Sequence, residues 1–228
     1  MINNLADAIK ERFACDPKAT EFLSEILSEA SVYVFGGAVR DYLNKTFDTA
    51  RDVDLVIESN NSNKVDIGYY LDYLNIVSFK KNRFNGYKVF FGNLVVDIWN
   101  LQDTWAFQNT YLESSPENLM KSVYLNVDAL VYSLNSNTYL ENCNDLYSKI
   151  NVLDIVFDQT PYEELNLLRA LVFKDRYSLN VSQILRDKIN ELLKGSKTSY
   201  KLLKDLQNQH YNQILLDDKK LNEIYSRL

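Results

Sequence analysis

The sequence predicts an α+β protein, made of a mixed, largely antiparallel sheet with flanking helices and followed by an all-helical extension. Short β-branched and aromatic runs, separated by glycine turns, dominate the chain before Pro161. From that proline onward, apolar residues recur at helical spacing. The charge also changes, because residues 186–228 hold nine basic and six acidic residues within a chain of net charge −6. We therefore expect a head domain over residues 1–158, with N-terminal helices in residues 1–29, and a helical domain over residues 159–228.

The composition restricts the chemistry that the chain can perform. With 228 residues, of which 46% are hydrophobic and 25% charged, it is typical of a soluble globular protein. The acidic balance argues against a broadly basic nucleic-acid surface, although it leaves room for a local basic groove. The only histidine is His210, which argues against histidine triads and zinc sites. Because no apolar run is long enough to span a membrane, we expect no membrane partner and a cytoplasmic location.

The elements of the head can be assigned in chain order. Leu5, Ile9 and Phe13 recur at helical spacing, and "ATEFLSEILSEA" supplies a second helix. "SVYVFGG" reads as a buried strand that ends in a glycine turn, and "AVRDYLNK" as the helix after it. "DVDLVIES" alternates as a strand does. It is followed by a meander over residues 76–100, with Asn-Gly and Gly-Asn turns.

The rest of the chain continues this pattern and then changes period. A helix-like piece follows Pro116, and "LNVDALVYSL" and "TYLEN" read as strands. "PYEELNLLRALVFKDRYSL", "VSQILRDKINELLKG" and "SYKLLKDLQNQ" then read as successive helices.

Two adjacent glycines mark the first candidate site. Gly36 and Gly37 stand at a strand-to-helix turn, where the backbone can approach a ligand without a Cβ in the way. The first amides of the following helix would favour an anion such as phosphate. Arg40, one helical turn further on, could add a cation whose geometry suits phosphate oxygens. A plain tight turn is the alternative explanation.

Two aspartates strengthen the case for a ligand site. Asp52 and Asp54 are two residues apart in a strand, so their carboxylates point to the same face. Like charges this close repel unless a cation lies between them, and hard oxygen ligands suit Mg²⁺ or Mn²⁺. An exposed strand with two solvated acids is the alternative. Asp97 is the best candidate for a third carboxylate, because an acid in its apolar run needs a partner.

The motifs "GGAVRDYL" and "RDVDLVI" together resemble the active-site signature of the nucleotidyltransferases that add CCA to tRNA 3′ ends and of bacterial poly(A) polymerases. In that family the Gly-Gly turn binds the triphosphate and the Asp-x-Asp strand binds the catalytic metals. The resemblance implies a polymerase-β-like head, with Gly36, Gly37 and Arg40 on the nucleotide. It also implies two Mg²⁺ or Mn²⁺ ions on Asp52, Asp54 and the candidate third acid.

Later segments carry the resemblance further and also depart from it. "VDALVYSLNSNTYLEN" is similar to the family's strand pair, where Asp128 replaces an asparagine, and "LLRALVFKDR" is similar to the helix that opens its neck domain and contains Arg169. The family's Arg-Arg-Asp falls on "SVY", residues 122–124. Its base-reading Asp and Arg fall on Glu163 and Asn166. These positions are carried over as nucleotide-binding candidates, although Asn166 lacks a guanidinium.

The resemblance therefore implies an enzyme, a metal-dependent nucleotidyltransferase that moves NMP from an NTP to a hydroxyl and releases pyrophosphate. The expected partners are an NTP, with ATP or CTP foremost, and RNA, with tRNA among the candidates. A partner protein or a homodimer would also be compatible. Transfer to a protein or small-molecule hydroxyl, and a catalytically silent nucleotide-binding module, are the two alternatives.

Overall fold

The structure is a computed structural model, and it describes residues 4–61, 63–193 and 197–227, apart from the side chains of residues 197 and 198. It divides into two compact units. The first contains residues 1–123 and 128–148, and the second contains residues 124–127 and 149–228.

The first unit contains the sheet and most of the short helices. Its helices are α1 (Leu5–Phe13), α2 (Pro17–Glu29), α3 (Gly37–Leu43), α4 (Ile67–Tyr73), α5 (Trp105–Asn109), α6 (Pro116–Leu119) and α7 (Cys143–Tyr147). Its strands are β1 (Ala30–Phe35), β2 (Val53–Ser59), β3 (Phe79–Lys81), β4 (Tyr87–Phe91), β5 (Leu94–Asn100), β6 (Val131–Ser133) and β7 (Thr138–Tyr139). These strands form one sheet in the order β3-β4-β5-β2-β1-β6-β7. Only the β2–β5 pair is parallel, so the mixed, largely antiparallel sheet expected from the sequence is confirmed.

The second unit is mainly helical, as the change of period predicts. It contains the strands β8 (Val152–Leu153) and β9 (Asn180–Val181), and the helices α8 (Glu163–Tyr177), α9 (Gln183–Leu193), α10 (Lys197–Tyr211) and α11 (Asp218–Tyr225). The parallel pairing of β8 with β9 places residues 152 and 153 in this unit, whereas the sequence places the domain boundary near residue 158. None of the helices in the described ranges is both long and apolar enough to cross a membrane.

The two faces of the sheet have different characters. On one face, Val53, Leu55 and Ile57 of β2 join the large apolar core, together with the buried sides of α1 and α2. This agrees with the period-two alternation of the strand. On the other face, Val56 packs in a small cluster with Tyr33 and Val131, and the carboxylates of the candidate site share this face. One face of the sheet therefore packs against the main core, and the other face carries the side chains of the candidate site.

Arg12 of α1 fixes the connection between α3 and β2. Its guanidinium donates to the carbonyl oxygen of Phe47 at 3.1 Å and also to that of Ala50. It lies 5.3 Å from the centroid of the Phe47 ring, within cation–π range. Because Ala50 comes two residues before Asp52, this contact restrains the chain where it enters the candidate site.

Replacing Phe22 by Ala is expected to lower the free energy of unfolding by about 3–5 kcal/mol, because a fully buried aromatic side chain leaves a cavity. Phe22 also loses its ring contact with Phe91, at 5.9 Å between centroids. Denaturant unfolding followed by tryptophan fluorescence checks this. The matched control is Val77→Ala, at a side chain that is 91% exposed, where a change within about 0.5 kcal/mol is expected. Equal effects of the two variants would contradict the assigned core.

Candidate active site on the central sheet

Three aspartates lie together on the face of the sheet opposite the main core. Asp54 of β2 is the direct cross-strand partner of Asp97 in β5. Asp52 comes two residues earlier, immediately before β2, and its Oδ2 lies 3.8 Å from Nζ of Lys88, the ammonium that pairs with Asp97. Residues paired in register on neighbouring strands have neighbouring side chains. The structure thus brings together the three acids that the sequence singled out.

Two cations neutralise this group. Lys88 of β4, the cross-strand partner of Asp97, forms a short ion pair with that carboxylate, and its Nζ lies 3.8 Å from Oδ2 of Asp52. Arg51 donates from Nε to the same Asp52 oxygen at 3.1 Å. Sequence reasoning missed Lys88. The signal was its place in the alternation of "YKVFF", which puts it on the polar face, but the sequence does not show which strand lies beside it.

The surroundings of Asp97 shift the ionisation of its carboxylate. Burial raises the pKa of Asp97 above its ordinary value of 3.8, and the charge of Asp52 acts in the same direction. Lys88, and to a smaller extent Arg51, act in the opposite direction. A group with a raised folded-state pKa binds more protons in the folded protein, so ionising it opposes folding.

Protonation removes this penalty. We therefore expect the contribution of Asp97 to the free energy of unfolding to become more favourable as the pH falls from neutrality through its raised pKa towards 3.8. The measurement is the free energy of unfolding of wild type relative to Asp97→Asn, which removes this titration. Wild type should gain stability relative to the variant as the pH falls through this range. A relative loss over the same range would mean that the pKa of Asp97 is lowered.

The glycine turn stands beside the carboxylates. Phe35, the last residue of β1, is the cross-strand partner of Asp54, and Gly36 follows it directly. Gly36 has φ +61° and ψ −114°, a conformation that L side chains rarely adopt, so the backbone itself requires glycine here. At Gly37 a Cβ would meet Nη2 of Arg40 at 3.5 Å, which is ordinary contact. Close approach of a ligand therefore remains a prediction for Gly37, while Gly36 is explained by its backbone.

Arg40 is buried and engaged by two carboxylates. Its Nε and Nη2 donate to Oδ1 of Asp41 at 3.2 and 3.0 Å, and Nη1 forms a short ion pair with Asp128. The side chains of Arg40 and Asp128 are both 8% exposed. The pair joins α3 to the 3₁₀ turn Asn126–Asp128, next to the point where the Gly36 amide donates to the Leu130 carbonyl at 2.8 Å. Direct contact of Arg40 and Asp128 with a nucleotide remains a prediction.

The other nucleotide-binding candidates lie on α8 of the second unit. Glu163 accepts from Nζ of Lys188 at 2.5 Å, and Nδ2 of Asn166 donates to the Thr160 hydroxyl at 2.9 Å. Arg169 stands over the ring of Phe173, 5.7 Å from its centroid. The spacing of these three residues places them on neighbouring turns of one helix, and their role in nucleotide binding remains a prediction.

The carboxylates of the candidate site can be compared with the ligands that a divalent cation requires. Within the described ranges, no three His, Cys, Asp or Glu side chains are grouped closely enough to hold a metal ion as they stand. Two of the three aspartates nevertheless already share one cationic atom, the Nζ of Lys88. Carboxylate oxygens are the donors that Mg²⁺ and Mn²⁺ prefer. The donor chemistry therefore fits such an ion, and Lys88 is the group that it would have to displace.

The fold and this site together define a structural class of protein. Its members have an α+β head, and the mixed sheet of that head carries converging aspartates beside a glycine turn. Solved structures with the same fold are CCA-adding enzymes and tRNA nucleotidyltransferases. A CCA-adding enzyme in an apo form aligns with a TM-score of 0.58 and 18% identity over 90% of this chain and 48% of that one. A tRNA nucleotidyltransferase complexed with a primer tRNA and an incoming ATP analogue aligns with a TM-score of 0.58 and 21% identity over 87% and 57%.

The CCA-adding enzyme of Thermotoga maritima, complexed with tRNA, aligns with a TM-score of 0.57 and 19% identity over 84% of this chain and 48% of that one. The chain thus spans about half the length of these solved structures. No protein-family model and no curated protein matches the sequence. At this level of identity the likeness establishes the fold, which is that of the head of CCA-adding enzymes with a helical part after it.

Proposed function

We propose that the chain is a nucleotidyltransferase, which transfers NMP from an NTP to the 3′ hydroxyl of an RNA. The observation that carries the proposal is the pairing of Asp54 with Asp97 across β2 and β5, with Asp52 two residues away and the Gly36–Gly37 turn alongside. Converging carboxylates next to a turn that can accommodate phosphates are the parts that phosphoryl transfer needs.

The proposed reaction forms one bond and breaks one. The acceptor hydroxyl oxygen attacks the α-phosphorus of the NTP, and the bond from that phosphorus to the oxygen bridging to the β-phosphate breaks. Pyrophosphate leaves with the electron pair of the broken bond, and the hydroxyl proton passes to solvent. No redox step or further co-reactant is required.

The carboxylates and the turn have separate roles in this proposal. Asp52, Asp54 and Asp97 would hold Mg²⁺ or Mn²⁺, which, when bound, makes the attacking hydroxyl more acidic and neutralises charge on the phosphates. Gly36 and Gly37 would face the triphosphate. The buried Arg40 would hold α3 and the glycine turn in place through its two carboxylate partners.

Two observations support RNA as the acceptor. Two of the solved structures with this fold are described as complexes with tRNA. On the first unit, Tyr69 and Tyr73 of α4 are 58% and 60% exposed and stack on each other at 5.9 Å with an interplanar angle of 9°. Exposed aromatic rings of this kind can stack unpaired bases. Glu163 and Asn166 remain the proposed base-reading positions, and Arg169 remains a proposed nucleotide-binding residue.

The test is an incubation of the purified chain with each α-³²P-labelled NTP, Mg²⁺ or Mn²⁺, and total cellular RNA. Label on a defined RNA supports the proposal and identifies the nucleotide. The label should be lost in the Asp52→Asn, Asp54→Asn double variant and kept in Asp72→Asn, a matched control at an exposed acid of α4. Label on protein or a small molecule would replace the RNA acceptor. Nucleotide binding without transfer would instead favour a silent module.

A further inference from the structure

Lys88 contacts two of the three carboxylates in the candidate site. It lies in the middle of a row of cross-strand partners that runs from Lys80 on β3 through Lys88 on β4 and Asp97 on β5 to Asp54 on β2. Its ammonium is paired with Asp97 and lies 3.8 Å from Asp52. The Lys88 ammonium thus stands between an acid of β5 and an acid that immediately precedes β2.

We propose that Lys88 is an internal counter-ion of the carboxylates, which occupies the place of a divalent cation and is displaced when that cation binds. This inference rests on the proposed function, because it concerns the metal site of the same reaction. It deepens that function by assigning a positioning residue that controls metal affinity. The residue does not itself need to touch the substrate.

The physical argument begins with the repulsion between the acids. Two carboxylates held close together on one sheet face repel unless a cation lies between them. The side chains of Asp52 and Asp97 are only 19% and 21% exposed, so water screens this repulsion incompletely. Arg51 pairs with Asp52 alone, whereas Lys88 contacts both acids and so keeps them in a convergent arrangement before any metal arrives.

The second step is the ability of Lys88 to leave. Its side chain is 38% exposed, and a flexible four-carbon chain lets the ammonium turn outward into solvent. A divalent cation must break both Lys88 contacts in order to bind, so the lysine competes with it for the same oxygens. Removing the lysine removes the competitor and also leaves the site more negative. Metal binding should therefore become tighter.

The experiment measures Mn²⁺ binding to the full chain by isothermal titration calorimetry, with Mn²⁺ electron paramagnetic resonance as a second readout. We expect Lys88→Met to lower the Kd for Mn²⁺ by about tenfold, which is about 1.4 kcal/mol. Lys88→Arg, which keeps the charge, should stay close to wild type. Lys80→Met is the matched control, since it removes the same charge from an exposed lysine one strand further along the row. We expect it to change the Kd less than threefold.

A second measurement separates this role from a general charge effect. In the presence of EDTA, Lys88→Met should have a lower Tm than wild type because the acids then repel, and saturating Mn²⁺ should remove the difference. If Lys88→Met does not fold, Lys88→Gln replaces it in both measurements. An unchanged or higher Kd in the folded variant, or an effect equal to that of Lys80→Met, would overturn the inference.

The outcomes also distinguish this inference from the proposed function. If wild type and Lys88→Met bind Mn²⁺ equally and Asp97→Asn does not bind it, the metal site remains and only the role of Lys88 fails. If neither wild type nor Lys88→Met binds Mn²⁺, the carboxylates hold no metal, and the two-metal basis of the proposed function fails with the inference.

Discussion

Asp97→Asn is expected to lower the rate of the proposed nucleotidyl transfer by about 1,000-fold, because a carboxylate that held the proposed catalytic cation would supply several kcal/mol of transition-state stabilisation. The amide keeps the shape of the side chain but loses its charge. Burial raises the pKa of Asp97, so the folded protein holds this charge unfavourably. We therefore expect the variant to remain folded at neutral pH, so that the lower rate reflects a slower chemical step and not unfolding.

The measurement is the transfer rate with the labelled NTP and acceptor identified for wild type, at saturating Mg²⁺ and then at saturating Mn²⁺. Asp72→Asn, at an exposed acid of the same unit, is the control and should keep the wild-type rate within about twofold, as expected for a surface substitution. A rate for Asp97→Asn within threefold of wild type would show that Asp97 is not the third carboxylate.

Arg40→Met is expected to lower the free energy of unfolding of the first unit by about 3–5 kcal/mol, because it removes the guanidinium from a buried ion pair. The Arg40 and Asp128 side chains are each 8% exposed, and Asp41 loses the same guanidinium. For a chain of this size the midpoint of thermal unfolding should fall by roughly 10 °C, at about 2–4 °C per kcal/mol.

Both tryptophans, Trp99 and Trp105, lie in the first unit, so their fluorescence follows the unfolding of that unit. Arg51→Met is the matched control, since Arg51 is 58% exposed and its pair with Asp52 should contribute about 1 kcal/mol or less. The double variant Arg40→Met, Asp128→Asn should be less destabilised than the sum of the single variants. A loss below 1 kcal/mol for Arg40→Met would show that the buried pair does not support the glycine turn.

Local patterns predicted much of the head. Leu5, Ile9 and Phe13 recur at helical spacing and are all fully buried on α1. The Gly-Asn turn is the two-residue loop between β4 and β5, and Gly92 has φ +57° there. Such features depend on residues a few positions apart, so a sequence contains the information that decides them.

The predicted strand "LNVDALVYSL" is shorter in the structure. Asn126–Asp128 form a 3₁₀ turn, and only Val131–Ser133 pair as β6. Asp128 lies in this turn and forms an ion pair with Arg40, which is 88 positions away. A partner at that separation cannot be recognised from local alternation, and Asp is itself depleted in strands.

The sequence by itself determined the α+β class, the helical C-terminal part, the glycine turn and the pair of aspartates where a strand begins. Only the tertiary structure decided that Asp97 is the acid beside Asp54, that Lys88 stands between Asp97 and Asp52, and that Arg40 is buried with Asp128. The reason is that strand order and register are set by pairing between distant segments. A shift of one residue in the register of β5 would move the Asp97 side chain to the opposite face of the sheet, away from the other two aspartates.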